Sequence, residues 1–273
     1  MKRFLFAILV IIMIFYCIAP FFWQFLTSIK DSKEVFAIPT TYIPREISLK
    51  SYYNIFTLRP FVRYIINSTI VASGTTILAL IVGSLAGYAL ARLQLKAKGM
   101  IQKSILIVAL FPQIVIIIPL YEMVRALGLT NNPLALIIPY TALNLPFVVW
   151  VLTSFFKQIP QDIEDAAKVD GFTRIGILYK IILPLSAPAL ATTAILVFIF
   201  SWNEFLFALT FMTNDLARTV PVGISMISGA TSYMVPWDQI SAAIVITTLP
   251  LVIVVLFFQK RIVQGLTAGA VKG

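Results

Sequence analysis

Asp165-Ala166-Ala167-Lys168-Val169-Asp170-Gly171, followed after nine intervening residues by Ile181-Ile182-Leu183-Pro184, is a polar island between long apolar runs. Residues 157–180 hold Lys157, Asp162, Glu164, Asp165, Lys168, Asp170, Arg174 and Lys180, eight of the 32 charged side chains (21 basic, 11 acidic) in 273 residues. The pattern predicts two short helices with a stop between them. Asp162 is expected to cap the first, with Glu164 and Asp165 in its first turn, where the helix dipole favours acids. Ala166 and Ala167 are expected to form a small flat face. Gly171 suits the left-handed position that ends a helix. Thr173 can start the second helix, and Pro184 is expected to stop it. On charge alone, such a hairpin does no more than join two membrane helices.

The surroundings establish that membrane helices are what it joins. The chain is 60% apolar and 12% charged, against about 45–50% and 25% in soluble globular proteins. A net charge of +10 can signal nucleic acid, but the basic residues stand scattered at the ends of apolar runs. That placement fits the positive-inside rule, and no nucleic-acid partner is expected. The single cysteine, Cys17, lies in an apolar run and can form no intrachain disulfide; histidine is absent. His-based metal sites and Ser-His-Asp chemistry are therefore excluded, and no metal ligand set or catalytic residue is assigned.

Six spans are predicted: residues 4–26, 64–90, 104–123, 134–156, 187–212 and 241–258, since about 20 apolar residues cross the hydrocarbon core. The first run lacks a small-residue cleavage site and reads as a retained span. Residues 27–63 read as a polar external loop. Gly83-x-x-x-Gly87, with Ala79 a turn earlier, is a small-residue face that lets a neighbouring helix approach. Pro112, Pro119, Pro139, Pro146 and Pro250 fall inside spans, where they kink helices. With both termini inside, thirteen of the Lys and Arg residues are cytoplasmic and eight external, which sets the expected orientation in the cell membrane.

An acid, two alanines, three residues, glycine, nine residues, isoleucine, one residue and Leu-Pro resembles the cytoplasmic motif of permease subunits of ABC importers. That family usually has Glu where this chain has Asp165, with Glu164 one place earlier, so both acids are candidates for the contact. Asn67-Ser68-Thr69-Ile70-Val71 resembles the start of the same family's transmembrane core, and Ser201-Trp202-Asn203-Glu204-Phe205 and the end from Gln264 to Gly273 resemble its carbohydrate-uptake branch. The likeness is to the smaller of two permeases in maltose-type sugar importers and covers roughly residues 60–273. It implies an all-α, polytopic protein with six transmembrane helices and the type I ABC importer permease fold. Residues 1–59 would hold the first helix and external loop, 60–260 the transmembrane core with a coupling-helix loop at 157–186, and 261–273 a cytoplasmic tail.

The resemblance also implies partners. These are a second related permease, two ATP-binding subunits, an extracytoplasmic solute-binding protein, a sugar or oligosaccharide, and the bilayer. It implies that Glu164, Asp165, Ala166, Ala167, Asp170, Gly171, Leu183 and Pro184 meet the ATP-binding subunit. It further implies that Gly265, Leu266, Thr267 and Gly269 dock a tail against the interface between those subunits. A phosphate-binding loop would need glycine at position 270, which is Ala270, so no cofactor is expected on this chain and ATP and Mg belong to the partner. Asn67 or Ser68 is expected to cap the second span. Glu204 lies well inside the fifth apolar run, where an acid costs roughly 2.5–3.5 kcal/mol on insertion scales, so it must face a cavity or a partner group. With Trp202, Asn203 and Phe205 it is a candidate for the translocation pathway, since aromatic faces and hydrogen-bonding groups suit a sugar. A stand-alone secondary transporter or channel for a small polar solute is the alternative, but Glu204 stands almost alone as an intramembrane acid.

Overall fold

The computed structural model describes the backbone of residues 2–227 and 235–270, and their side chains except those of Lys2, Leu106 and 259–270. No strand occurs among the described residues. Besides single turns at Ser32–Val35 and Asp215–Ala217, the helices are α1 (Lys2–Ser28), α2 (Lys50–Leu58), α3 (Phe61–Arg92), α4 (Lys98–Ala109), α5 (Gln113–Ala126), α6 (Leu134–Phe156), α7 (Gln161–Val169), α8 (Arg174–Leu185), α9 (Ala187–Asn203), α10 (Leu206–Phe211), α11 (Val220–Ser225) and α12 (Trp237–Ala270). Four of them, α1, α3, α6 and α12, are long and apolar enough to cross a membrane unaided; bent pairs, each counted as one span, bring the number up to six.

The departures from the predicted spans have local causes. The third span is two helices, α4 and α5, meeting at 90°. Pro112 sits at the join in an extended conformation; it has no N–H to donate and biases the residue before it away from the helical region. Pro119, Pro139 and Pro146 are carried inside continuous helices. The fifth span ends at Asn203, with α10 a separate helix beyond a break at Glu204 and Phe205. The 27–63 segment is more than a loop: it contains α2, whose Ser51 and Ile55 are buried. Asn67 and Ser68 cap nothing, because α3 starts at Phe61. The Asn67 amide instead donates to the carbonyls of Leu216 and Arg218, both at 2.9 Å.

The chain divides into two compact units, Met1–Ile65 with Thr219–Val252, and Ile66–Arg218 with Ile253–Gly273. In the first, Asp238 at the start of α12 is 1% exposed. It accepts hydrogen bonds from the Ser51 hydroxyl at 2.6 Å and the Ser32 hydroxyl at 2.9 Å, which fastens the post-α1 segment and α2 to α12. In the second unit, α3 and α6 lie close along a row of glycines. A Cβ on Gly83 would stand 2.4 Å from Val148 Cγ1, and one on Gly87 would stand 3.3 Å from both Leu152 Cβ and the Thr153 backbone nitrogen. The neighbour that the Gly-xxx-Gly face admits is therefore α6 of the same chain.

Candidate functional site

The polar island folds as the helical hairpin α7–α8. Pro160, not Asp162, occupies the N-cap of α7, leaving Asp162 and Glu164 in the first turn. Proline sets a fixed φ and removes one of the four unpaired N–H groups at a helix start; it makes no side-chain cap bond. At the other end Gly171 has φ +83°. Its N–H reaches the Lys168 carbonyl at 3.1 Å, and the Phe172 N–H reaches the Ala167 carbonyl at 3.0 Å. This is the paired closure that a left-handed residue after a helix allows. Thr173 caps α8, accepting from the Gly176 N–H at 3.1 Å. Lys180 lies 5.3 Å from the Phe172 ring and ties α8 back onto the turn. Pro184 does not end α8 at once. The helix passes through a π-turn at Leu178–Ile182, runs to Leu185, and only then bends by 82° into α9.

The two faces of the hairpin differ. Ala167, Ile177, Leu178 and Ile182 are buried with Ala79, Tyr88, Val148, Leu152, Phe156 and Val197. Each large aliphatic side chain so buried contributes about 1.5–3 kcal/mol. Ala166 points outward while Ala167 packs inward, so the two do not share a flat face; successive helical residues lie about 100° apart. The two acids also part. Glu164 is 3% exposed, accepts from the Tyr88 hydroxyl at 2.9 Å and forms an ion pair with Arg92, whose Nη2 also donates to the Ile159 carbonyl at 2.7 Å. Asp165 is exposed and, among the described residues, its one ion pair is with Lys168, at 2.7 Å. An exposed i,i+3 pair of this kind is worth at most about 0.5 kcal/mol, so little holds Asp165 back from another partner. Asp170, Gly171 and Pro184 are exposed and Leu183 is partly buried. Val169, 89% exposed, stands with Ile175 and Tyr179 on the outer side of the hairpin.

The second cluster lies at the break after α9. Glu204 is half-buried, and its carboxylate accepts from the backbone N–H groups of Phe207 at 3.1 Å and Ala208 at 3.3 Å. It thereby caps α10, whose dipole favours the negative charge. The Tyr140 hydroxyl of α6 donates to the same carboxylate. The acid is thus satisfied by protein groups. Trp202 is buried and stacks on Phe198 with ring centroids 5.7 Å apart. Asn203 is exposed, its amide donating to the Ile199 carbonyl at 2.8 Å, and Phe205 is half-buried. Glu204→Leu removes the cap of α10 and strands the Tyr140 hydroxyl, so a loss of about 1–2 kcal/mol in thermal unfolding is expected. Glu204→Gln retains an acceptor oxygen and is expected to recover part of it.

Gly265, Leu266, Thr267 and Gly269 fall in the helical backbone of α12, and their side chains lie outside the described residues, as do Val271 to Gly273 altogether. No cluster of three or more metal-ligating side chains occurs among the described residues. Three residues that sequence reasoning did not assign complete the two clusters. Arg92 and Tyr88 hold Glu164, and Tyr140 holds Glu204. Arg92 was visible as a base at the end of an apolar run, but its reach across 72 residues was not.

Residues 79–268 match the family model described as "Binding-protein-dependent transport system inner membrane component". The chain is 44% identical over 254 residues to the sulfoquinovosyl glycerol transport system permease protein SmoH of Agrobacterium fabrum, covering 93% of this chain and 88% of that one. It is 44% identical over 276 residues to the trehalose/maltose transport system permease protein MalG of Thermococcus litoralis, covering 100% and 98%. The trehalose transport system permease protein SugB of Mycobacterium tuberculosis is 39% identical, with 98% and 97% covered. Among solved structures, a chain of a bacterial ABC transporter involved in the import of the acidic polysaccharide alginate superposes with a TM-score of 0.80 at 23% identity, covering 95% of both chains.

Proposed function

The chain belongs to the binding-protein-dependent transport system inner membrane components, and from that premise we propose that it works as one of two permeases in an ATP-driven importer of a sugar or oligosaccharide. The solutes in the names of its relatives, sulfoquinovosyl glycerol, trehalose and maltose, support that substrate class. An extracytoplasmic binding protein delivers the solute, and ATP with Mg acts on two separate ATP-binding subunits. Both termini and the α7–α8 hairpin are cytoplasmic; a cysteine placed at Thr173 in a chain lacking Cys17 is expected to be shielded from impermeant reagents added outside intact cells.

The observation that carries the coupling role is the division of labour within the hairpin. Its inner face is anchored by Glu164 to Arg92 and by three buried aliphatic side chains. Its outer face presents Val169 and Ile175, exposed and apolar, beside the lightly held Asp165. An apolar patch in water rimmed by charge suits a protein partner. A hairpin rigidly fixed to α3 and α6 and docked through Val169 would pass a displacement of the ATP-binding subunit to the membrane helices. At the pathway, Asn203 and Phe205 are the residues left available to a solute, while Glu204 and Trp202 shape the helix break.

The test is to purify the assembled transporter with Val169→Asp or Gly171→Val and to measure bound ATP-binding subunit and solute-stimulated hydrolysis. A Cβ on Gly171 meets nothing within 4 Å, so that variant acts through φ alone. Strain of about 1–3 kcal/mol loosens docking by roughly five- to 150-fold. Unchanged insertion with lost ATPase is the expected result. Wild-type values for both variants would reduce the hairpin to a connector.

A further inference from the structure

Two cavities share a wall at the C-terminal end of α1. The first, about 490 Å³, is apolar and lined by Phe15, Ile18, Ala19, Phe22 and Leu26, with Tyr42 and Ile43 of the following segment as its lip. The second, about 280 Å³, mixes polar and apolar groups: Gln24, Thr27, Lys30, Thr40 and Ser241 line it together with Val35 and Trp237. Trp23 lines both, and Tyr42 packs edge-on against it with ring centroids 6.0 Å apart.

Lys30 decides what the second cavity suits. It is 3% exposed, its ammonium donates to the Thr41 carbonyl, and it lies 5.1 Å from the Trp23 ring centroid. Neither partner carries a charge, and no salt bridge to Lys30 is found among the described residues. Glu34 acts on it electrostatically from farther off. That carboxylate is engaged by the Arg45 N–H at 3.0 Å and the Thr41 hydroxyl at 2.8 Å, bonds that hold its pKa below the ordinary value. A buried cation without a paired anion is unfavourable. The Gln24 side-chain oxygen already accepts from the Ser241 hydroxyl at 2.6 Å, which leaves its amide N–H groups as donors.

The dimensions match an amphiphile. Phe15 to Leu26 spans about 16 Å of helix rise, half of a hydrocarbon core of about 30 Å and hence the depth of one leaflet. Tryptophan and lysine at the end of a span mark the level of the headgroups. We propose that the paired cavities bind an anionic phospholipid of the leaflet at the C-terminal end of α1, with an acyl chain along the Phe15–Leu26 face beneath Tyr42 and Ile43, and the phosphate on the Lys30 ammonium and the Gln24 amide. None of its lining residues belongs to the candidate solute pathway, and its occupant does not depend on the transported solute.

The experiment uses the whole transporter in detergent, stripped of loose lipid and titrated with phosphatidylglycerol, phosphatidylcholine or glycerol 3-phosphate, with bound molecules counted by native mass spectrometry. One phosphatidylglycerol retained per copy of this chain is expected. Lys30→Gln is expected to weaken its retention about fivefold, the attraction of one basic side chain for an anionic surface. Ala19→Trp, which fills the groove and leaves Lys30 intact, is expected to abolish retention of both phospholipids. Should Lys30→Gln fail to assemble, Gln24→Leu takes its place with the same expected direction. Equal retention by the charge-site variant and the wild type overturns the proposal, as does phosphatidylcholine held as tightly as phosphatidylglycerol. Glycerol 3-phosphate bound as tightly as the lipid would make this a free-phosphate site and overturn it equally.

Discussion

Arg92→Met is expected to destabilise the second unit by roughly 3–5 kcal/mol, the penalty for leaving one partner of a buried ion pair behind. Glu164 would keep the Tyr88 hydroxyl but lose the guanidinium, and the Ile159 carbonyl would lose its donor at the same stroke. The damage should be concentrated in α7, because Glu164 is what pins that helix to α3. Hydrogen exchange over residues 161–169 is the direct readout, with thermal unfolding alongside. Replacing both partners, Arg92→Met with Glu164→Leu, is expected to restore much of the loss, since a buried pair and its apolar substitute are often of similar stability. Lys168→Ala, which breaks the exposed pair with Asp165, should change stability by less than about 0.5 kcal/mol. Unaltered exchange in Arg92→Met would mean that the hairpin is held without the ion pair, by its aliphatic contacts and the Tyr88 hydroxyl.

Gly83→Val is expected to be the most damaging substitution among the glycines of α3. Helix propensity favours residues other than proline over glycine in a helix interior, by up to about 1 kcal/mol. Contact decides the sign here. The new Cβ would lie 2.4 Å from Val148 Cγ1 and 3.1 Å from Val148 Cβ, and Val148 is fully buried. Overpacking of a closed core costs typically 1–3 kcal/mol, and valine adds two methyl groups beyond the Cβ. α3 and α6 must then separate, carrying with them the floor on which α7 and α8 rest. Gly99→Ala is the control, because its Cβ meets nothing within 4 Å. A melting temperature for Gly83→Val equal to that of the control would refute the close approach of α3 and α6.

The spans and the hairpin were legible because their signals are local. An apolar run reports burial in lipid, and Gly171 reports a positive φ that its neighbours cannot change. Thr173 as a cap followed from hydroxyl chemistry over three residues. What was not legible rests on pairings distant in sequence. Ala166 and Ala167 look equivalent until α3 and α6 are placed, and only then does one turn inward. Glu164 and Asp165 are chemically near-identical neighbours; Arg92 and Tyr88 make one an anchor and leave the other exposed. Pro112 and Pro119 carry the same local signal, yet one breaks the chain by 90° and the other sits within a helix. The fifth apolar run hides its break for the same reason, because Glu204 makes it with help from α6.

That break bears on how the protein is made. An acid within an apolar run is a burden during insertion, worth roughly 2.5–3.5 kcal/mol at mid-span. Glu204 is relieved of it by two groups with different histories. The N–H groups of Phe207 and Ala208 follow it out of the ribosome within a few residues, whereas Tyr140 was synthesised 64 residues earlier on α6. The order of the chain therefore presents the acid with a hydroxyl already lodged in the bilayer. A permuted gene that placed α9 and α10 ahead of α6 would send Glu204 into lipid before its tyrosine existed, and biogenesis would stall at a step the finished fold conceals.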